Sequence, residues 1–181
     1  MSKFTIPGLT STDGATVAAA LQERLSMYND LHLTLKHVHW NVVGPNFIGV
    51  HEMIDPQVEL VRGYADEITE RIAALGNSPR GTAGAIERDR TWDDYSVERD
   101  DATAHLAALD LVYTGVITTN RTVIDTVGKI DPITEDILIG QTAQLEKFQW
   151  FVRAHLENSG GGLVHEGSAT ERGAADHARS N

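Results

Sequence analysis

Length, composition and charge already exclude several kinds of protein. The chain has 181 residues and a net charge of −11, from 26 acidic and 15 basic side chains, so most of its surface should repel nucleic acid and attract cations. Cysteine is absent, which excludes disulfides and thiolate metal sites. No apolar run approaches the ~20 residues of a membrane span, and the N-terminus lacks the basic and apolar regions of a signal peptide. We therefore expect one cytoplasmic domain without a membrane partner.

The first half of the chain predicts a helical hairpin. Residues 1–15 show no sustained period and resemble an N-terminal arm. Helices are predicted over about 16–43 and 47–75, because apolar residues recur at alternating spacings of four and three, as they do in helix bundles. The turn Gly44-Pro45-Asn46 separates the two helices. Pro56 lies inside the second helix and predicts a kink.

The second half predicts two more long helices joined by a long connection. Residues 77–95 contain proline and glycine, with a short helix expected around 82–89. Longer helices are predicted over about 96–127 and 132–157. Residues 158–181 are small, polar and glycine-rich, which is typical of a flexible tail. The predicted fold is all-α: a four-helix bundle with a short helix in its crossover, an arm before it and a tail after it.

Two histidines occupy matching positions in the predicted hairpin. His39 lies five residues before the first residue of the turn, and His51 lies five residues after its last, so both should sit roughly 7 Å from the turn and level with each other. Imidazole and carboxylate together suit first-row metals such as iron or zinc. Asp66 and Glu70 supply two carboxylates one helical turn apart. Each pair also has a plainer interpretation, as hydrogen-bonded core histidines and as a solvated acidic face with ion pairs.

The two pairs cannot share a metal if they lie on one continuous helix. His51 and Asp66 are 15 residues apart, roughly 22 Å, whereas two ligands of one metal lie within about 4–5 Å of each other. Pairing two hairpins antiparallel about a two-fold axis brings the histidine end of one chain to the carboxylate end of the other. We therefore expect two identical metal sites per dimer. Trp40, beside His39, is expected either to pack in the core or to act as an oxidisable aromatic near the metal.

The stretch HVHWNVVGPNFIGVHEMID, followed by Asp66 and Glu70, resembles the Dps proteins, the miniferritins of bacteria. The resemblance covers residues 16–157, includes DRTWDDYSVERD and LEKFQWFVRAHLE, and is greatest to actinobacterial members. It implies a ferritin-like bundle, a hollow shell of twelve subunits, and a ferroxidase centre at each two-fold interface. The implied ligands are His39 and His51 of one subunit with Asp66 and Glu70 of its neighbour, holding two irons. The implied reaction is oxidation of Fe²⁺, usually by hydrogen peroxide, with ferric mineral stored inside the shell.

Iron must also reach the inside of such a shell. The family uses acidic pores on three-fold axes, near the turn before the last helix of the bundle. This implies Asp131 and Asp136 as candidate pore residues. Their plainer interpretation is that carboxylates at the start of a helix balance its macrodipole.

Two other functions compete with iron storage. Compaction of DNA would need cationic tails, but residues 158–181 hold two arginines against three carboxylates, and residues 1–15 hold Lys3 against Asp13. We therefore expect weak or absent DNA binding near neutral pH. Metal-dependent hydrolysis of an amide or ester would use a metal-activated water, but the sequence indicates no substrate pocket for it.

Overall fold

Helices form almost all of the regular structure. A computed structural model describes residues 5–180, and within that range there are six α-helices and two short β-strands. The helices are α1 (Ser11–Asn41), α2 (Phe47–Ala74), α3 (Ala83–Asp89), α4 (Ala102–Val127), α5 (Pro132–Ala154) and α6 (Glu171–Arg179). The strands β1 (Val42–Val43) and β2 (Asp100–Asp101) pair in parallel, a contact that the sequence pattern did not predict. No helix in this described range is long and apolar enough to span a membrane.

The core lies where two helical hairpins meet. α1 packs along α2, and α4 packs along α5. The predicted apolar seams are buried, and Leu21, Leu35, Ile54 and Ile68 have no accessible surface. Each such side chain stabilises the fold by about 1.5–3 kcal/mol. The all-α four-helix bundle predicted from apolar spacing is confirmed.

The turn between α1 and α2 fixes the level of the two helices. Gly44 adopts a φ of +93°, a conformation that side chains with a Cβ rarely tolerate, and its carbonyl accepts the N–H of Phe47 at 3.1 Å. α2 then continues through Pro56 without interruption. The proline removes the helical donor to the carbonyl of Glu52, but both residues are exposed, so water can satisfy that carbonyl.

α1 and α4 begin at residues other than the predicted ones, because capping side chains determine where each helix starts. α1 begins at Ser11 rather than 16, because the Thr10 hydroxyl accepts the N–H of Asp13 at 3.1 Å. The predicted arm is therefore partly helical, and residues 1–4 lie outside the described range. α4 begins at Ala102 rather than 96, because the Asp101 carboxylate accepts the N–H of Ala104 at 2.9 Å.

The C-terminal segment differs from the predicted flexible tail. α6 packs against α4, and Ala174 and Ala175 have no accessible surface. Small side chains allow the two helices to approach closely, and the Thr170 hydroxyl caps α6 by accepting the N–H of Gly173 at 3.1 Å. Glycine-rich composition suggested flexibility, but here the glycines supply turns that lead the chain back onto the bundle.

Candidate metal centre

His39 and His51 hold each other in place across the hairpin. Their rings stack with centroids 3.6 Å apart and planes inclined by 22°. Nδ1 of His39 lies 3.0 Å from the His51 carbonyl oxygen, and Nδ1 of His51 lies 3.0 Å from the His39 carbonyl oxygen. Because a carbonyl only accepts, each Nδ1 must carry the proton and donate it. Nε2 of each ring then keeps the lone pair that a metal needs.

The local fold explains why these bonds form. His39 lies in the last turn of α1, where backbone carbonyls have no helical donor. The imidazole of His51 supplies a donor to one of these carbonyls. His39 is 7% exposed, and the ring of Phe47 lies 4.9 Å from that of His51. The structure thus brings the two histidines together, as their spacing from the turn predicted.

Asp55 and Lys36 complete the support of the histidine pair, a role that the sequence pattern did not predict. An Asp55 carboxylate oxygen lies 3.1 Å from Nδ1 of His39 and 2.9 Å from the Lys36 ammonium. The hydrogen bond from Lys36, with the nearby imidazoles of His39 and His51, holds the pKa of Asp55 below its ordinary value. One signal was available, since Asp55 lies four residues after His51 and therefore on the same face of α2.

Trp40 lies on the surface rather than in the core. Its side chain is 69% exposed, and the Lys36 ammonium lies 5.7 Å from the centre of its ring. The packing interpretation therefore does not hold within one chain. The alternative, an aromatic beside the metal ligands, stays a prediction.

Asp66 and Glu70 are both exposed on α2. Among residues 5–180 neither carboxylate has a hydrogen-bond or ion-pair partner, whereas the neighbouring Glu67 accepts the Gln141 amide at 2.7 Å. Arg71, which could have paired with this acidic face, instead contacts Asp131 at 2.6 Å. The ion pairs that the plainer interpretation of Asp66 and Glu70 requires therefore do not form among residues 5–180.

One chain does not bring the four predicted ligands together. α2 is unbroken between His51 and Asp66, which keeps the two ends roughly 22 Å apart. Accordingly, no three His, Asp or Glu side chains of the described residues lie close enough to hold a metal. The structure assembles the histidine half of the predicted centre and leaves the carboxylate half separate.

The outer face of the α1–α2 hairpin is unusually apolar. Five of the large apolar side chains that remain exposed belong to this hairpin, namely Leu33, Trp40, Phe47, Ile48 and Leu60. Several exposed large apolar side chains on one pair of helices indicate a candidate protein–protein interface. Both halves of the predicted centre lie on the same two helices.

The structure corrects the prediction for Asp131. This side chain is 3% exposed and caps α5, accepting the N–H of Ile133 at 3.3 Å, the hydroxyl of Thr134 and the guanidinium of Arg71. Burial raises the pKa of Asp131, but the hydrogen bonds from Thr134 and Arg71 outweigh it and hold the pKa below its ordinary value. A carboxylate so engaged cannot line an open pore. Asp136 is exposed on α5 and stays a predicted pore residue.

Comparison with known proteins agrees with this architecture. Residues 18–159 match the family model of the ferritin-like domain. The DNA protection during starvation protein of Mycolicibacterium smegmatis is 69% identical over 179 residues, which is 99% of this chain and 98% of the relative. The solved structure of Mycobacterium smegmatis Dps superposes with a TM-score of 0.93 at 69% identity, over 96% of this chain and 99% of that one. Dps92 from Deinococcus radiodurans superposes with a TM-score of 0.78 at 28% identity, over 82% and 90% of the two chains. The chain therefore belongs to the ferritin-like proteins and, within them, to the Dps family of miniferritins.

Proposed function

We propose that this miniferritin oxidises Fe²⁺, preferably with hydrogen peroxide, at centres shared between two subunits. The ferric product is stored as mineral inside a cytoplasmic shell of twelve subunits, which protects the cell against oxidative stress. The observation that carries the proposal is the division of the ligand set. Two preoriented imidazoles lie at one end of α2, and two carboxylates without a partner among residues 5–180 lie at the other.

A two-fold axis between hairpins turns these halves into complete centres. Antiparallel pairing places His39 and His51 of one subunit beside the partner's Asp66 and the partner's Glu70, and the reverse at the second centre. The exposed apolar side chains of the same hairpin provide surface for that contact. A lone subunit holds half of a centre and should be inactive.

The two ligand types divide the work at the centre. The fixed Nε2 atoms bind Fe²⁺ firmly, and the hard carboxylate oxygens favour the ferric product. A second, weaker iron binds alongside, with Glu70 between the two. Two Fe²⁺ ions each give up one electron, the O–O bond of hydrogen peroxide breaks, and with two protons its oxygens leave as two waters. Supplying both electrons at one centre avoids release of a hydroxyl radical.

Charge favours delivery of the substrate. Each subunit carries a net charge of −11, so the assembled shell attracts Fe²⁺ from solution. We place Asp136 at the route by which iron enters the shell, because its carboxylate is exposed near the α4–α5 turn. Replacement of Asp136 should slow uptake at low ionic strength more than at high ionic strength.

Mixing two inactive variants tests whether the centre is shared. His51→Ala and Asp66→Ala should each be nearly inactive in Fe²⁺ oxidation by peroxide, followed optically. When the two are unfolded, mixed and refolded together, half of the dimers should be mixed, and each mixed dimer regains one intact centre. Random pairing therefore predicts recovery of roughly a quarter of the wild-type centres.

The matched control combines two lesions in the same half of the centre. A mixture of His39→Ala with His51→Ala leaves one damaged histidine pair at every centre, so no activity should return. Equal recovery in both mixtures would mean that the centre is not divided between subunits. If both single variants stay active, the four-residue centre itself is wrong.

A further inference from the structure

A second feature of the molecule, away from the metal centre, is a cavity of about 450 Å³. It opens between α1, α4, the connection around residues 91–96 and the start of α6. None of the four predicted metal ligands lines it. Its volume lies within the range of ordinary small-molecule sites, which are mostly apolar with a few placed polar groups.

The floor of the cavity is apolar and buried. Met27, Leu31 and Val116 line it and are buried. Trp92 forms part of the wall, and its indole N–H donates to the Asp30 carboxylate at 2.7 Å. That bond fixes the aromatic ring at the edge of the apolar floor, so the surface offered to a ligand is preformed.

The rim of the cavity is acidic. Five carboxylates line it, from Glu23, Asp30, Asp93, Asp94 and Glu171, and none of the residues that line it is basic. Arginines outside the lining neutralise three of these carboxylates. Arg24 pairs with Glu23 at 2.8 Å, and Arg90 reaches Asp30 at 3.6 Å and Asp94 at 3.0 Å.

Asp93 and Glu171 have no cationic partner in the described part of the chain. The Glu171 carboxylate accepts the N–H of Ser96 at 3.2 Å, which is a neutral donor. Burial, together with the negative charges of Asp30, Asp93 and Asp94, raises the pKa of Glu171 to about 6. The cavity thus combines an apolar floor with negative charge that the protein itself leaves uncompensated.

Gly115 keeps one wall of the cavity open. It lies in the interior of α4, where glycine destabilises a helix relative to alanine, yet a Cβ built on it meets no atom within 4 Å. The fold would therefore accept a side chain here. A larger residue at this position would project toward the cavity that Gly115 lines.

We propose that this cavity binds a small organic cation with an apolar body, of the primary-amine class. The apolar body would rest on Met27, Leu31 and Trp92. The ammonium group would lie at the acidic rim, where Glu171 and Asp93 offer the charge that no arginine neutralises. A metal ion is a poorer match, because the cavity presents a broad apolar floor rather than converging oxygen ligands.

Calorimetric titration of the assembled full-length protein with 2-phenylethylamine tests the proposal, and 2-phenylethanol serves as the neutral ligand of similar shape. The amine should bind, and the alcohol should bind at least about tenfold more weakly, as expected for loss of a charged hydrogen bond. Glu171→Gln retains an oxygen for the Ser96 N–H and should weaken amine binding by about tenfold. Glu87→Gln makes the same charge change on exposed α3, outside the cavity, and should leave the affinity unchanged.

A filled cavity provides a second test that does not depend on charge. Gly115→Leu should abolish amine binding while helicity and particle size stay those of the wild type. The control Gly140→Leu changes a glycine that is equally free of neighbours but lies outside the cavity. The proposal is overturned if the amine fails to bind the wild type, if the alcohol binds equally well, or if Gly115→Leu binds the amine normally.

Discussion

The orientation of His39 depends on a carboxylate that is not itself a predicted ligand. Asp55 contacts Nδ1 of His39 at 3.1 Å, beside the backbone carbonyl of His51. Lys36 keeps this carboxylate ionised. Partners of this kind fix the tautomer and direction of a metal-binding imidazole, and their loss commonly weakens metal binding by about 10–100-fold. At the proposed centre, Asp55 would therefore influence the metal through His39.

We expect Asp55→Asn to weaken metal binding by about tenfold, at the low end of that range because Asp55 is partly solvated. Anaerobic titration with Co²⁺, followed by its absorption spectrum, measures this loss without turnover. In Fe²⁺ oxidation the KM should rise more than kcat falls. Glu52→Gln is the matched control, since Glu52 is a neighbouring exposed carboxylate on α2. Equal effects of the two substitutions would mean that metal binding weakens because negative charge is lost, and not because His39 loses its orientation.

Among the elements of the fold, the segment that leads into α6 is tied to the bundle by a buried polar network. Asp110 of α4 is 3% exposed and accepts Nε of Arg153 at 2.6 Å, the amide of Gln149 at 2.8 Å and Nε2 of His165 at 3.1 Å. Arg153 and Gln149 belong to α5, whereas His165 precedes α6. His165 is thus a buried polar tie between the C-terminal segment and the bundle, in addition to the contacts of Glu171 with Ser96 and of Arg179 with Asp100.

His165→Ala should loosen the C-terminal segment without unfolding the bundle. Loss of one buried hydrogen bond costs about 1–3 kcal/mol, which corresponds to roughly a 5- to 150-fold increase in local opening. Limited trypsin digestion with mass analysis should show faster cleavage at Arg172. His155→Ala is the control, because His155 is exposed at the end of α5 and its ring bonds locally, to the Phe151 carbonyl. Unchanged cleavage in His165→Ala would contradict the docking role.

Acid should loosen the same segment in the wild type. Burial raises the pKa of Asp110, but hydrogen bonds from His165, Arg153 and Gln149 outweigh it and hold the pKa below its ordinary value. A depressed carboxylate pKa stabilises the folded state fully above the unfolded pKa, near 3.9, and this contribution is lost as the pH falls through the folded value. Hydrogen exchange of α6 amides should therefore accelerate below about pH 4, beyond its intrinsic pH dependence.

Apolar spacing was enough to predict the long helices, because buried seams repeat at the helical period whatever their partners. The helix starts were harder to predict, since Thr10 and Asp101 act as caps with an extended backbone of their own, which apolar spacing does not reveal. α6 was missed for a related reason. Its buried stripe consists of alanines, which give little hydrophobic signal, and its stability depends on α4 far away in sequence.

The residues of the site also divide into those that local sequence could predict and those that depend on distant partners. His39 and His51 were predictable as a pair because a short turn fixes their level. The burial of Asp131 was not, because its partner Arg71 lies sixty residues earlier. Local periodicity places a residue on a face of a helix, but only the packing of helices determines whether that face meets solvent, a cation or another subunit.

At the scale of the whole molecule, charge opposes DNA binding. Each chain carries −11, and a shell multiplies that repulsion. Within residues 158–180 the C-terminal segment offers few cations, since Arg179 contacts the carboxylates of Asp100 and Asp176, which leaves Arg172 as its exposed arginine. Tight non-specific binding at physiological salt requires many cationic contacts with phosphates. The packed C-terminal segment provides few.

We therefore expect no stable complex with linear duplex DNA in a gel shift at neutral pH and about 150 mM salt. A variant carrying about eight additional lysines at its C-terminus should bind, with an affinity that falls steeply as salt increases. Binding by this variant would show that the protein can bind DNA once phosphate contacts are supplied, and that the assay detects such a complex. A tight complex with the unmodified protein would mean that assembly concentrates basic side chains into a surface that the single subunit does not present.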